Sequence, residues 1–234
     1  VKEQVDLMYS LIHQQVDAIV LVPIDSKALV QPVVEAVRKG VPVINIDIRL
    51  DTQLLEQAGV EVAFVGPDNF AAAYEVGKLL DKKLRNEDKV AIIEGLAAAD
   101  NAQQRKRGFI KAIEEKGLRL VASEPADWET EKAAEVFQAM WMRYPDLKAV
   151  YCSNDAMALG VLQQMQEKNC YLPVVGFDND AVMKEFLSTG KLVATADIFS
   201  SQMAVRGIEF ALDVLEGKIE NRGVHSTAYE IIKQ

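Results

Sequence analysis

The chain has little of what enzymes and metalloproteins most often need. Its 234 residues include two cysteines and two histidines, His13 and His225, too few for a convincing transition-metal site. No G-x-G-x-x-G or G-x-x-x-x-G-K-[ST] run occurs, so neither a dinucleotide fingerprint nor a phosphate loop is signalled. No G-x-S-x-G elbow offers a hydrolase nucleophile. No apolar run reaches the roughly 18 residues of a membrane-spanning helix. The first residues show neither a charged-then-apolar leader nor a cleavage site. Positive charge is short, with 26 Lys+Arg against 35 Asp+Glu and a net charge of −9, which makes nucleic acid a poor partner. Together these absences argue against catalysis, a cofactor and a metal centre. A mature exported protein and a cytosolic one would both look like this.

The cysteines, Cys152 and Cys170, read as free thiols. If 148–152 and 173–177 are neighbouring parallel strands, Cys152 lies at a C-terminal end and Cys170 before an N-terminal one. Strand ends lie roughly 17 Å apart, whereas a disulfide needs Cα atoms within about 7 Å.

Apolar residues are abundant, at 50%, enough for a sizeable core. They alternate between two kinds of segment. Short β-prone runs fall at Asp17-Ala-Ile-Val-Leu-Val22, Val41-Pro-Val-Ile-Asn-Ile46, Glu61-Val-Ala-Phe-Val65 and Lys89-Val-Ala-Ile-Ile93. More follow at 118–122, 147–151, 174–175 and 192–196. Helical periodicity fills 2–14, 27–39, 69–85, 102–116, 130–143, 155–168, 180–188 and 201–216. Such alternation implies an α/β fold with parallel sheets. Asp25-Ser26 and Asp68-Asn69 precede helices, and Gly40, Gly117 and Gly217 follow others.

The breaker cluster Gly66-Pro67-Asp68-Asn69, the stretch Ala196 to Ser201 and the extended tail Ser226 to Ile232 predict three crossings between two Rossmann-like lobes. One lobe takes 1–67 plus 199–227, the other 68–198 plus 228–234. The chain opens on an amphipathic helix with no strand before it, so the N-terminal lobe reads as incomplete.

Polar residues recur where each strand hands over to its loop, the edge at which open α/β sheets bind ligands. Asp47 follows Val43 to Ile46, Asp127 and Trp128 follow the strand near 120, and Asp178 follows Val174 to Phe177. In Ala149-Val-Tyr-Cys-Ser-Asn-Asp-Ala-Met-Ala-Leu-Gly160, Asn154 is the expected ligand contact and Asp155 the expected helix cap. Asp180 reads as another cap. Carboxylates and amides converging on one edge suit a neutral polyol, each bonding adjacent hydroxyls. Arg105 adds a fork-shaped donor on an early helical turn. Trp128 offers a ring face to sugar C–H groups. Read singly, Asp47 and Asp178 are turn residues, Trp128 is packing, and Lys106 and Arg107 are a solvated helix face. The set outweighs its members because all fall at one edge.

With these positions in hand, the chain resembles the ribose- and galactose-type periplasmic sugar-binding proteins, related in fold to LacI-type repressor cores. The motifs are Val22-Pro-Ile-Asp-Ser26, Pro42-Val-Ile-Asn-Ile-Asp47, Gly66-Pro-Asp-Asn69, Arg105-Lys-Arg-Gly-Phe109, Pro125-Ala-Asp-Trp128, Ser153-Asn-Asp-Ala-Met-Ala-Leu-Gly160 and Val175-Gly-Phe-Asp178. The resemblance spans nearly the whole chain. It implies a hinged type I binding protein that is not an enzyme, captures a sugar or polyol between its lobes, and delivers it to an ABC importer permease. It also implies a periplasmic or lipid-anchored extracytoplasmic location, with the signal peptide removed, and a chemoreceptor as a further partner. Asp47, Arg105, Trp128, Asn154 and Asp178 match the family's ligand contacts. There are two departures: Ile48 stands where ribose binders often carry Arg, and Ile198 where they carry Gln. Arg49 and Asp197 sit one residue off, on the opposite face of an extended segment, so the ligand is expected not to be bound as ribose is. The family's first strand, helix and second strand, about 40 residues by alignment to the fold, lack a full counterpart. The alternative role is the sensing domain of a LacI-type regulator or of a membrane receptor.

Overall fold

The computed structural model describes residues 1–233, apart from the side chain of Asp81. In chain order the elements begin with α1 (Lys2–His13), β1 (Ile19–Leu21), α2 (Val30–Arg38), β2 (Val43–Ile46), α3 (Thr52–Gln57) and β3 (Phe64–Pro67). There follow α4 (Asn69–Asp81), β4 (Lys89–Glu94), α5 (Asp100–Lys116), β5 (Arg119–Pro125), α6 (Thr130–Arg143), β6 (Ala149–Cys152), α7 (Asp155–Glu167) and β7 (Val174–Val175). A 3-10 turn (Ala181–Met183), α8 (Lys184–Ser188), β8 (Leu192–Asp197), α9 (Ser200–Leu215), β9 (Val224–Thr227) and β10 (Glu230–Lys233) complete the described chain.

Two compact units result. Unit 1 takes Val1–Pro67, Ala98–Asn101 and Phe199–Ala228; unit 2 takes Asp68–Ala97, Ala102–Ile198 and Tyr229–Gln234. The visit of Ala98–Asn101 to unit 1 has no signal in the sequence. It is tied there by Ser26, whose N–H donates to the Ala98 carbonyl (2.9 Å) and whose hydroxyl accepts from the Asp100 N–H (2.9 Å).

Unit 1 holds a four-stranded sheet, β1-β2-β3-β9, in which every neighbouring pair is parallel. Unit 2 holds a six-stranded sheet, β10-β8-β7-β6-β4-β5. Its pairs are parallel except β10 on β8, which runs antiparallel. The strands read as unbroken apolar runs because both sheet faces are covered: all four residues of β2 and of β6 are buried. The core of unit 2 stacks Phe109 against Tyr151, ring centroids 5.4 Å apart. Helices α6 and α7 meet at Gly160, where an added Cβ would lie 2.0 Å from the Thr130 carbonyl oxygen. Unit 1 packs Leu29, Val33 and Val43 into its own fully buried cluster.

The structure corrects several expectations. The tail is two strands rather than one extended segment, and they enter different sheets. Helix 27–39 begins at Val30, because Asp25 spends its carboxylate on the turn before it, accepting from the N–H groups of Lys27 and Ala28 (both 2.8 Å). The pattern at 180–188 is a 3-10 turn followed by one short helix, and the 69–85 helix stops at Asp81. Helix α3, capped by Asp51 through the Leu54 N–H, went unpredicted. Cys152 and Cys170 are both free thiols, as expected. Among the described residues no helix is long and apolar enough to cross a membrane.

Candidate functional site

Four of the five predicted contact residues lie in unit 2, on segments that leave the C-terminal ends of its strands or on the opening turns of α5. Arg105 is their centre. Its side chain is 3% exposed, against the expectation of a donor on an open helical turn. Nε donates to Asn69 Oδ1 (2.9 Å) and Nη1 to the Ser153 carbonyl (2.8 Å). Nη1 also lies 3.3 Å from Asp178 Oδ1. The guanidinium plane rests on Phe177, 3.7 Å from the ring centroid, and Trp128 lies at 5.6 Å. Buried charge needs partners, and this guanidinium has them at Nε and Nη1, with two aromatic rings close by.

The strand ends supply strained backbone. Asp178 has φ +106° and Trp128 φ +71°, with Asn179 (+58°) and Asp127 (+52°) beside them. Asp and Asn tolerate this region; a bulky residue such as Trp does so at a cost. The Asp127 carboxylate takes an ion pair from Lys132, which fixes the turn carrying Trp128. Gly95, after β4, is the floor under that ring: a Cβ there would come within 2.0–2.3 Å of three indole carbons.

The cap at the start of α7 is not the expected Asp155. Asn154 is the cap, its Oδ1 accepting from the Met157 N–H at 2.9 Å, because it is the residue with extended backbone (φ −152°, ψ 171°). Asp155 is the first helical residue and fully buried. Its Oδ1 accepts from the Thr195 hydroxyl and its Oδ2 from the Asp180 N–H, both at 2.9 Å. Burial is the main reason its carboxyl is pushed up to about 7; the bonds from Asp180 and Thr195 pull the other way, and the nearby Asp178 and Asp180 charges add to the rise. Asp180 itself makes no side-chain cap bond.

In unit 1, Asp47 ends β2 half-buried with φ +62°. Its N–H donates to the Val65 carbonyl (3.1 Å). Buried Asn45 shapes the loop that follows, donating to the Ile48 carbonyl and accepting from the Leu50 N–H (both 2.8 Å). The two family departures are resolved locally. Ile48 and Ile198 are buried, while Arg49 lies over the Phe64 ring (5.6 Å) and Asp197 takes the Asn179 side-chain amide (2.9 Å).

Sequence reasoning missed Phe177, Asn69 and Gly95. Phe177 reads as strand core, and only its place beneath Arg105 gives it a role. Lys106 also departs from the solvated face expected of it: it pairs with Glu94 (2.8 Å), a buried carboxylate that accepts from Ser123 Oγ as well (2.5 Å). Arg107 is exposed. Among the described residues no three His, Cys, Asp or Glu side chains are grouped to hold a metal.

Comparison with known proteins gives a uniform result. Residues 1–219 match the family described as periplasmic binding protein domain. A D-ribose/D-allose-binding protein of Pseudomonas aeruginosa is 42% identical over 98% of this chain and 73% of its own length. Among solved structures, an ABC transporter solute-binding protein of Burkholderia multivorans has TM-score 0.94 at 40% identity, covering 99% of this chain and 83% of that one. A periplasmic solute-binding protein of Actinobacillus succinogenes with bound D-allose has TM-score 0.92 at 31% identity, with the same coverage.

Proposed function

The chain belongs to the periplasmic binding protein domain family, and on that premise we propose that it is a solute-binding protein for an aldose or related polyol. Arg105, Trp128, Asn154 and Asp178 are its contacts in unit 2, and Asp47 its contact in unit 1. The observation that carries this reading is the buried Arg105 guanidinium, held between Asn69, Ser153 and Asp178 at the ligand-binding edge of the sheet.

The chemistry suits neutral hydroxyl groups. Three of the five Arg105 N–H donors are committed, leaving the Nη2 pair to donate. The Asp178 carboxylate accepts from two adjacent hydroxyls, and Asn154, whose oxygen is taken by the cap, donates through its amide. Trp128 packs its ring against C–H groups. A solute that left these buried groups unpaired would be rejected by their desolvation. No bond is made or broken. The protein releases its sugar to the permease of an ABC importer in the periplasm, and a chemoreceptor reads the same liganded form. Because Ile48 and Ile198 replace the Arg and Gln often seen in ribose binders, the ring is held by a different pattern of donors from ribose.

The test is a thermal-shift panel of aldoses, ketoses and polyols on the full chain, beginning with D-ribose and D-allose. At least one should raise the unfolding temperature by several degrees, as selective binding to the folded state requires. Asp178→Ala and Asn154→Ser, the latter retaining a capping hydroxyl, should abolish the shift. Persistence of the shift in both variants would refute the assignment of these contacts.

A further inference from the structure

The turn Phe177 to Asp180 carries the Asp178 carboxylate in a backbone conformation it would not choose alone, and two buried side chains, Asp155 and Thr195, bond to it at several points. We propose that Asp155, relayed through Thr195, is a positioning residue that locks Asp178 into its ligand-binding orientation and thereby sets sugar affinity. The inference rests on the assignment of Asp178 as a contact.

The geometry is a bracket. The Asp155 N–H donates to the Phe177 carbonyl (2.7 Å) and its Oδ2 accepts from the Asp180 N–H (2.9 Å), so one residue grips the turn at both ends. The Thr195 hydroxyl donates to Asp155 Oδ1 (2.9 Å) and accepts from the Asn179 N–H (3.2 Å), closing the middle. The Asp178 N–H reaches the Ala196 carbonyl (2.7 Å), and the Asn179 amide reaches Asp197 (2.9 Å). Within this bracket Asp178 and Asn179 both have positive φ, strain that persists only where surrounding bonds over-determine it. Space is closed as well. A Cβ on Gly176 would sit 2.0 Å from Asp155 Oδ1, so the carboxylate lies directly against bare backbone at the foot of the turn.

Both carboxylate oxygens act as acceptors, which favours the ionised form, while full burial opposes it. The charged and titratable groups around Asp155 are Asp178 and Asp180 on the turn, Asp197 on β8, Cys152 on β6, and Arg105 of α5, which pairs with Asp178. Protonating Asp155 weakens one of its two acceptor bonds, so the bracket loosens as pH falls through neutrality.

Titration calorimetry of the full chain tests the proposal, using the panel sugar that gives the largest thermal shift. Thr195→Val should raise Kd about tenfold or more, the effect of losing one relayed charge-assisted bond, and Thr195→Ser should restore it. The wild type should lose affinity from pH 8 to pH 6, and Asp155→Asn should raise Kd likewise and flatten that fall. Should Asp155→Asn fail to fold, the Thr195 pair decides alone. If Asp178→Ala abolishes binding while Thr195→Val and Asp155→Asn bind as the wild type does, the bracket is wrong and the contact stands. If Asp178→Ala also binds normally, or no sugar binds the wild type, the site reading fails and the bracket with it.

Discussion

Replacing Arg105 by Met keeps the stem and removes the guanidinium, and the structure sets the size of the loss. Two good charge-assisted bonds disappear, to Asn69 Oδ1 and to the Ser153 carbonyl, each contributing about 1.5–3 kcal/mol. The contact with Asp178 is longer, at 3.3 Å, and the Asp178 side chain is 26% exposed, so water recovers much of that partner. Removing the cation also removes the cost of burying it, which offsets part of the loss. The net expectation is about 3 kcal/mol, the lower end of what breaking a buried pair costs. That corresponds to roughly 6–12 °C in Tm for a chain of this size. Arg105→Lys keeps a charge but not the fork or the close guanidinium contact with Phe177, and should lose about half as much. Urea unfolding followed by tryptophan fluorescence isolates the effect, because both tryptophans, Trp128 and Trp141, lie in unit 2. A loss under about 1 kcal/mol for Arg105→Met would show that the bonds merely offset desolvation, and the reasoning would be refuted.

Gly95→Ala should displace the Trp128 ring from its floor at a cost of about 1–3 kcal/mol; the readout is altered tryptophan emission and a diminished sugar-induced thermal shift with unchanged far-UV dichroism. Asp155 is held at about 7 when folded, against an ordinary value of 3.8. The folded state therefore keeps a proton that the unfolded state has lost, and this group's contribution to stability declines from pH 4 to pH 7 and is gone above. Urea midpoints should show that decline in the wild type, and Asp155→Asn should lack its share of it. Cys152 is fully buried and its thiol is pushed up by burial, whereas Cys170 is half-buried. A disulfide reagent should label only Cys170 in the native protein, and both thiols in denaturant; native labelling of Cys152 would contradict the packing.

Much of this architecture is legible in the residues. Parallel strands covered on both faces, such as Val43 to Ile46, announce themselves as unbroken apolar runs. Which of Asn154 and Asp155 caps α7 was illegible because both residue types cap helices, and only the backbone decides which one stands outside the first turn. Helix α3 escaped because its six residues bury only Leu55, too little to set a period. Asp47 and Asp178 were picked out as candidates by their place after strands, where the structure also has them. Phe177 joins the candidate site only through a tertiary contact, since a buried phenylalanine after a strand looks the same whether or not a guanidinium lies near it. The left-handed backbone at Trp128 has no sequence signature, because Trp is a residue that geometry ordinarily avoids.

The two closing strands impose an order on synthesis. β9 supplies the last strand of one sheet and β10 the last strand of the other, so residues 224–233 complete both. β3 ends at Pro67 and pairs with β9 from Val224 onward, and translation at about 5–20 residues per second separates them by roughly 10–30 s. Through that interval the β3 edge of one sheet and the β8 edge of the other stay open, and neither sheet is covered there until residues 224–233 have been made.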